Sequence, residues 1–300
     1  MTQFTKYMHI ERYPCSEVDG ITKGKVFIFP KLDGTNASIW VETDGDKMEL
    51  CAGSRNNKLT EQWDNAGFYK TILTKYPEYY QVLVKHPELI IYGEFLVPHT
   101  IKDYKLGAWN KFYVFDVLNT KSGRWLPYTE YRDLLAPYGF NIIPPMTVMD
   151  SPIFTDSAIE ELLNDNHYLM VDEEHIGEGI VLKNYNYKNP YGRTTWAKIV
   201  NPTFKNNSRA KFKGLPDNGM YTEIVQKLLT PEALQHEYLK FIDEYGELRG
   251  ENYPKFLGLT WNGWLEDNWK KIIKLAGKRD INFNTLHKVA VDAIKLYYPI

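Results

Sequence analysis

Lys31 opens the string Lys31-Leu32-Asp33-Gly34, and four short signatures follow it in order. They are Tyr92-Gly93-Glu94-Phe95, Phe112-Tyr113-Val114-Phe115-Asp116, Glu178-Gly179-Ile180-Val181-Leu182-Lys183 and Ala197-Lys198-Ile199. Together they supply an amine nucleophile, carboxylates, an aromatic shelf and cations, the parts that an attack on a nucleoside triphosphate requires. An amine attacks only when neutral, and free lysine titrates near about 10.4, so working pH asks for a drop of about 3 units, roughly 4 kcal/mol. Neighbouring cations or a divalent metal can supply that drop; for Lys31 the candidates are Lys183, Lys198 and a bound Mg²⁺. Glu94 and Glu178 lie at strand ends that can bring both into one cleft, where carboxylates hold hydrated Mg²⁺ or a ribose hydroxyl. Phe115 offers a ring face to a base, with Asp116 beside it, and Arg55 in Ser54-Arg55-Asn56 can clamp a phosphate.

Each residue also has a plainer role open to it. A lysine before Asp-Gly is commonly a solvated turn residue, a Phe in an apolar strand is commonly core, and Glu178 between two glycines is commonly a loop acid. The first string alone arises by chance in about one chain of this length in ten or twenty at ordinary residue frequencies. The ordered set carries the information. No Gly-x-x-x-x-Gly-Lys loop occurs, so a nucleotide would be held differently from the NTPases that use one. Neither a zinc-ligand spacing nor a Ser/His/Asp trio emerges, and the seven His are scattered.

The elements that must position these residues are legible in part. Lys25 to Phe29 reads as a strand, which Pro30 is expected to end just before Lys31. Asn36 to Glu42 alternates as the outgoing strand, and Asp44-Gly45-Asp46 turns it toward Met48–Ala52. Lys31 to Gly34 therefore occupy a tight connection between strands. Residues 64–86 carry helical spacing broken at Pro77. Leu89–Phe95 and Phe112–Val117 are apolar strands, each with one carboxylate near its end. Helices are expected near 129–137 and 156–164, the second capped by Thr155 or Asp156. Gly179–Lys183 and Thr195–Val200 are two further strands. Beyond Gly214-Leu215-Pro216-Asp217 the pattern turns helical. Thr230-Pro231-Glu232 is a helix start with a hydroxyl cap, Pro in the first turn and an early acid, and Trp261–Leu275 and Asn284–Tyr297 read as amphipathic helices. The expected domains are 1–214 and 215–300.

Composition agrees with a soluble globular chain of 300 residues, 43% hydrophobic and 25% charged. Two cysteines, Cys15 and Cys51, make no disulfide scaffold and suit a reducing cytoplasm. No apolar run approaches the roughly 18 residues of a membrane span and no signal peptide is visible, so a cytoplasmic protein without a membrane partner is expected. The net charge of −2 conceals an uneven distribution. Between Glu178 and Asp217 there is no acid, while Lys183, Lys188, Arg193, Lys198, Lys205, Arg209, Lys211 and Lys213 all fall there. Such a run would give a positive field able to hold a polyphosphate or a nucleic-acid backbone.

At residues 4–205 the chain resembles the covalent nucleotidyltransferase superfamily of polynucleotide ligases and capping enzymes, within it the phage RNA ligase 2 type. Lys31-Leu32-Asp33-Gly34-Thr35-Asn36 is similar to that group's first motif. The resemblance implies an α+β fold: an antiparallel-sheet nucleotidyltransferase core, ATP-grasp-like, followed by a helical C-terminal domain. It implies ATP and Mg²⁺, with Mn²⁺ as a substitute, and RNA as partner, in a nicked duplex or hybrid, handled by a monomer. By the same likeness Lys31 takes AMP covalently, Asn36 helps sealing, Arg55 assists at the phosphates and Glu94 holds the ribose. Phe115 stacks on adenine, Asp116 and Glu178 support metal and strand joining, and Lys183 and Lys198 contact the phosphates. Two departures stand out. Relatives often carry a lysine where this chain has Val200, and an acid near the base where it has Pro30. A DNA ligase or a capping guanylyltransferase shares the same core, but normally adds a β-barrel where residues 217–300 read as helices. A binding module without turnover is the third reading.

Overall fold

The computed structural model describes residues 2–45, 47–75, 77–201 and 215–300. The chain divides into two compact units, Met1–Asn201 and Pro202–Ile300. Four of the eight cations in the acid-free run, Lys205, Arg209, Lys211 and Lys213, lie outside the described residues, as does much of the stretch leading to the expected domain boundary.

The first unit is mixed. Its elements in order are β1 (Glu11–Arg12), β2 (Lys25–Lys31), β3 (Thr35–Asp44), β4 (Lys47–Ser54), α1 (Phe68–Lys75), α2 (Pro77–Lys85), β5 (Leu89–Phe95), β6 (Phe112–Asn119) and β7 (Arg124–Trp125). There follow α3 (Tyr128–Leu135), β8 (Asn141–Ile142), β9 (Thr147–Asp150), α4 (Asp156–Asn164), β10 (Gly179–Lys183) and β11 (Ala197–Val200). The strands make two sheets, β1-β11-β10-β2-β9 and β4-β3-β5-β6-β7, with β8 added beside β6. All pairings are antiparallel except β1 with β11 and β6 with β8.

Period-two alternation explains why the first sheet has two unlike faces. Val26 and Ile28 of β2, Ile180 and Leu182 of β10, and Ala197 and Ile199 of β11 pack with Val18, Ile21 and Leu163 into one buried cluster. The alternate residues, among them Phe29, Lys31, Val181, Lys183 and Lys198, share the other face. Leu163 comes from α4, and of the two cap candidates Thr155 holds the position: its hydroxyl accepts the Ala158 N–H, a bond worth about 1 kcal/mol.

Pro30 does not end its strand. It lies within β2, opposite Ile180, and the ladder continues to Lys31 opposite Gly179. The Ile28 carbonyl accepts from Met146 on the β9 side, and Pro30 presents its backbone to that same side two residues later. β9 pairs only with Lys25–Ile28, so the missing N–H of Pro30 interrupts no rung of that ladder, and proline is tolerated there.

The second unit is helical: α5 (Met220–Leu228), α6 (Pro231–Tyr245), α7 (Tyr253–Ala276) and α8 (Phe283–Tyr297). Thr230 caps α6 through the Ala233 N–H. The helices close around Phe241, Phe256, Trp264, Ile272, Leu286 and Ile294, all buried. α7 begins eight residues before the expected Trp261, and α5 was not expected. Gly258 and Gly263 weaken the first half of α7 by about 1 kcal/mol each relative to Ala, which masks its start, while Pro254 in the first turn favours it. Among the described residues no helix is long and apolar enough to cross a membrane.

Candidate active site

Lys31 is the last residue of β2, and its ammonium forms an ion pair with Glu178, which immediately precedes β10. The pairing of Lys31 with Gly179 across the ladder places the two side chains together although 147 residues separate them. Glu94, near the end of β5, accepts the Gly34 N–H at 3.0 Å. Asp33 is buried; its Oδ2 accepts the Ile101 N–H at 2.7 Å and its own N–H donates to the Tyr104 hydroxyl at 3.0 Å. A built loop therefore follows the lysine, rather than a solvated turn.

The electrostatics correct one expectation. Lys183 and Lys198 were expected to lower the Lys31 amine. Burial does pull it down, but the charges of Glu178 and Glu94, the Glu178 hydrogen bond and the charge of Asp33 carry it above the usual lysine value. The carboxylates answer in the opposite sense. Burial and then the charge of Glu178 push Asp33 up to about 6, against His99, the Ile101 amide and Lys31. Burial raises Glu94 to about 7, with Lys31 opposing and Glu178 adding. Three carboxylates around one ammonium leave an excess of negative charge on hard oxygen donors, which fits a divalent cation.

Phe115, Asp116 and Lys183 form a second cluster. The β5–β6 register shifts at Tyr92/Gly93: Tyr92 pairs with Asp116 and Gly93 with Val114. Phe115 is the extra residue of this bulge, and a bulge re-aims the side chain it carries. The Phe115 ring is half-buried, so it is not a core residue. Asp116 is fully buried. Its Oδ2 accepts from Tyr7 at 2.5 Å and Trp196 at 3.1 Å and meets Lys183 Nζ at 2.7 Å, while Oδ1 has no hydrogen-bond partner. Lys183 Nζ also donates to the Phe115 carbonyl at 2.7 Å and lies 5.0–5.7 Å from the ring centroids of Phe29, Phe115 and Trp196. Burial lowers the Lys183 amine, with Asp116 opposing. Lys183 is thus committed to Asp116 rather than to Lys31.

Asn36 on β3 stands opposite Glu94, and its buried side-chain carbonyl has no hydrogen-bond partner among the described residues. Arg55 is half-buried in the turn after β4, where the Ser54 hydroxyl accepts the N–H groups of Asn56 and Asn57. Lys198 pairs with Val181 and Val200 with Gly179. Val200 is therefore two strands from Lys31 across a glycine, about 10 Å at ordinary strand spacing. Tyr7, Trp196, Asp33 and Tyr104 join these clusters without having been assigned roles. Tyr7 lies 109 residues from Asp116, and no local pattern links the two.

A family model described as RNA ligase matches residues 24–200. A search of curated protein sequences returns no match. Among solved structures, two variants of a Naegleria gruberi RNA ligase with ATP and Mn are similar to this chain at 17% identity, with TM-scores of 0.51 and 0.50, covering 68% of this chain and 58% of theirs. Another variant of that ligase, with AMP and Mn, is 19% identical with a TM-score of 0.50, covering 67% of this chain and 56% of its own. At these identities the likeness is one of fold. The chain spans less than two thirds of the length of these structures.

Proposed function

Because the chain belongs to the RNA ligase family, we propose that it is an ATP-dependent RNA ligase that joins 3′-hydroxyl and 5′-phosphate ends through lysyl-AMP. The observation that carries this reading is the convergence of the Lys31 amine with Glu178, Glu94 and Asp33. Lys31 Nζ attacks the α-phosphorus of ATP; an N–P bond forms, the α–β P–O bond breaks and pyrophosphate leaves. AMP then passes to a 5′-phosphate, and a 3′-hydroxyl displaces it to close the phosphodiester. The attacking amine must first lose a proton, and Glu94, raised to about 7, is a carboxylate able to hold one near neutral pH.

The Naegleria ligase structures contain ATP or AMP with Mn, which supports a nucleotide and a divalent cation here. Glu178 supplies oxygens for Mg²⁺ or Mn²⁺. Bound there, the ion would neutralise phosphate charge and compete with Lys31 for the carboxylates. In the second cluster Asp116, buried and paired with Lys183, supports metal binding and strand joining from behind Phe115. Asn36, with its open side-chain carbonyl opposite Glu94, acts in sealing, and Glu94 holds the ribose. The bulged Phe115 receives the base, positioned by Lys183 and Asp116, while Lys198 and Arg55 are the cations for the phosphates. The substrate is RNA in a nicked duplex or hybrid, bound by a monomer in the cytoplasm. Phosphoryl transfer needs chiefly alignment and charge neutralisation, which this set of groups provides.

Incubation with α-labelled ATP and Mg²⁺, followed by denaturation in SDS at alkaline pH, where an N–P bond survives, tests the reading. Wild type should retain label and Lys31→Ala should not. Retention of label by Lys31→Ala would overturn the assignment, and labelling by GTP alone would point to capping.

A further inference from the structure

Glu178 is flanked by two glycines, and both are needed because other groups press on them. A Cβ on Gly177 would lie 2.4 Å from the Asn166 amide nitrogen, and one on Gly179 would lie 2.2 Å from the Ile199 carbonyl. Asn166, in the turn after α4, is 1% exposed. Its backbone carbonyl accepts the Gly177 N–H at 2.7 Å, and its side-chain Nδ2 donates to the Gly179 carbonyl at 2.7 Å. The two bonds bracket Glu178 from either side. A third, from the Asn201 N–H to the Glu178 carbonyl at 2.9 Å, holds the residue itself.

The Asn166 side chain is not there for its own satisfaction. Among the described residues its buried Oδ1 has no hydrogen-bond partner, a cost that an apolar residue of similar size would avoid. The donor is the part in use. The loop that Asn166 begins is also tied to the nucleophile's loop. Val171 N–H donates to Asp103 at 2.9 Å and Lys105 N–H to Leu169 at 2.8 Å. Ile101 and Tyr104 of that same segment hold Asp33, two residues after Lys31. Hydrogen bonds and short stretches of chain between them thus link one member of the Lys31–Glu178 pair to the other.

We propose that Asn166 is a positioning residue that sets the Glu178 carboxylate against the Lys31 amine. The inference rests on the ligase reading of that site. Asn166 touches no reacting atom and acts only through Glu178, so its loss and the loss of a correctly placed Glu178 carboxylate must overlap.

A double-mutant cycle reads that overlap. The rate of lysyl-AMP formation at saturating ATP is measured for wild type, Asn166→Ala, Glu178→Asp and the double variant. Asn166→Ala should slow the step at least 10-fold with the KM for ATP changed less than 3-fold, and should cost less than 2-fold in the Glu178→Asp background. Equal losses in both backgrounds would make Asn166 a merely structural residue and overturn the proposal. Asn166→Leu, which keeps the volume but removes the donor, runs the same cycle should the alanine variant fail to fold. A second readout needs no turnover: the ¹³C-methyl resonance of reductively methylated Lys31, assigned with Lys31→Arg. Its titration should shift in Asn166→Ala in the same direction as in Glu178→Gln, with no further shift when the two are combined. An unmoved titration would refute the positioning role even if ATP left no label on wild type, an outcome that would refute the ligase reading separately.

Discussion

Replacing Asp116 with asparagine leaves the Lys183 ammonium buried without its counter-charge. The structure sets the size of the effect. At 2.7 Å and an effective dielectric constant of about 20, the lost attraction is about 6 kcal/mol. Lys183 has a cheaper escape, which is to shed its proton. Doing so costs about 1.4 kcal/mol for each pH unit below about 10.4, hence about 5 kcal/mol at pH 7 and about 2 kcal/mol at pH 9. The smaller cost wins, so the charge-dependent deficit of Asp116→Asn is capped near these values. The asparagine oxygen still accepts from Tyr7 and Trp196, while its NH₂ takes the place of an oxygen that has no partner, adding a pH-independent cost of about 1–3 kcal/mol. The sign follows from linkage: a lysine lowered in the folded state binds fewer protons there than in the unfolded chain, so stability rises with pH up to the unfolded value. The gap between Asp116→Asn and wild type should therefore narrow by about 2–3 kcal/mol between pH 7 and pH 9. Equilibrium urea unfolding at pH 7, 8 and 9 measures it. Removing both charges with Asp116→Asn and Lys183→Met should cost less than Asp116→Asn alone. A deficit that is flat with pH, or below about 1 kcal/mol at pH 7, would refute the reasoning.

Glu94 supplies a trade of stability against activity. Its folded value near 7 lies above the unfolded one, so the folded state binds the extra proton and stability is lost as pH rises from about 4.5 to 7. Glu94→Gln should stabilise the protein by about 2–3 kcal/mol at pH 7.5 while slowing lysyl-AMP formation, and an unaltered pH slope in urea unfolding would contradict this. Phe115→Ala should weaken ATP binding by about 1–3 kcal/mol, the scale of base–aromatic stacking, in isothermal titration; unchanged affinity would return the ring to a structural role. Asn36→Ala should leave lysyl-AMP formation largely intact and slow sealing of a pre-adenylylated nick, and equal loss in both assays would remove its assignment.

What was legible in the sequence was local. Alternation marked β3, short apolar runs marked β2, β5, β6 and β10, and Thr230 and one of two candidates, Thr155, cap the helices that follow them, because strand patterning and capping chemistry act over a few residues. The motif strings likewise singled out Lys31, Glu94, Phe115, Asp116, Glu178 and Lys183. Tertiary structure decided which of them meet. Lys31 pairs with Glu178 and Lys183 with Asp116, so one of the two lysines expected to lower Lys31 is neutralised elsewhere and carboxylates surround the nucleophile instead. The bulge that re-aims Phe115, the end of the β9 pairing that admits Pro30 and the bracket that Asn166 places on Glu178 belong to the same class. Each depends on strand register and on burial between segments far apart in the chain, and a change of one residue in register turns every side chain of a strand to its other face.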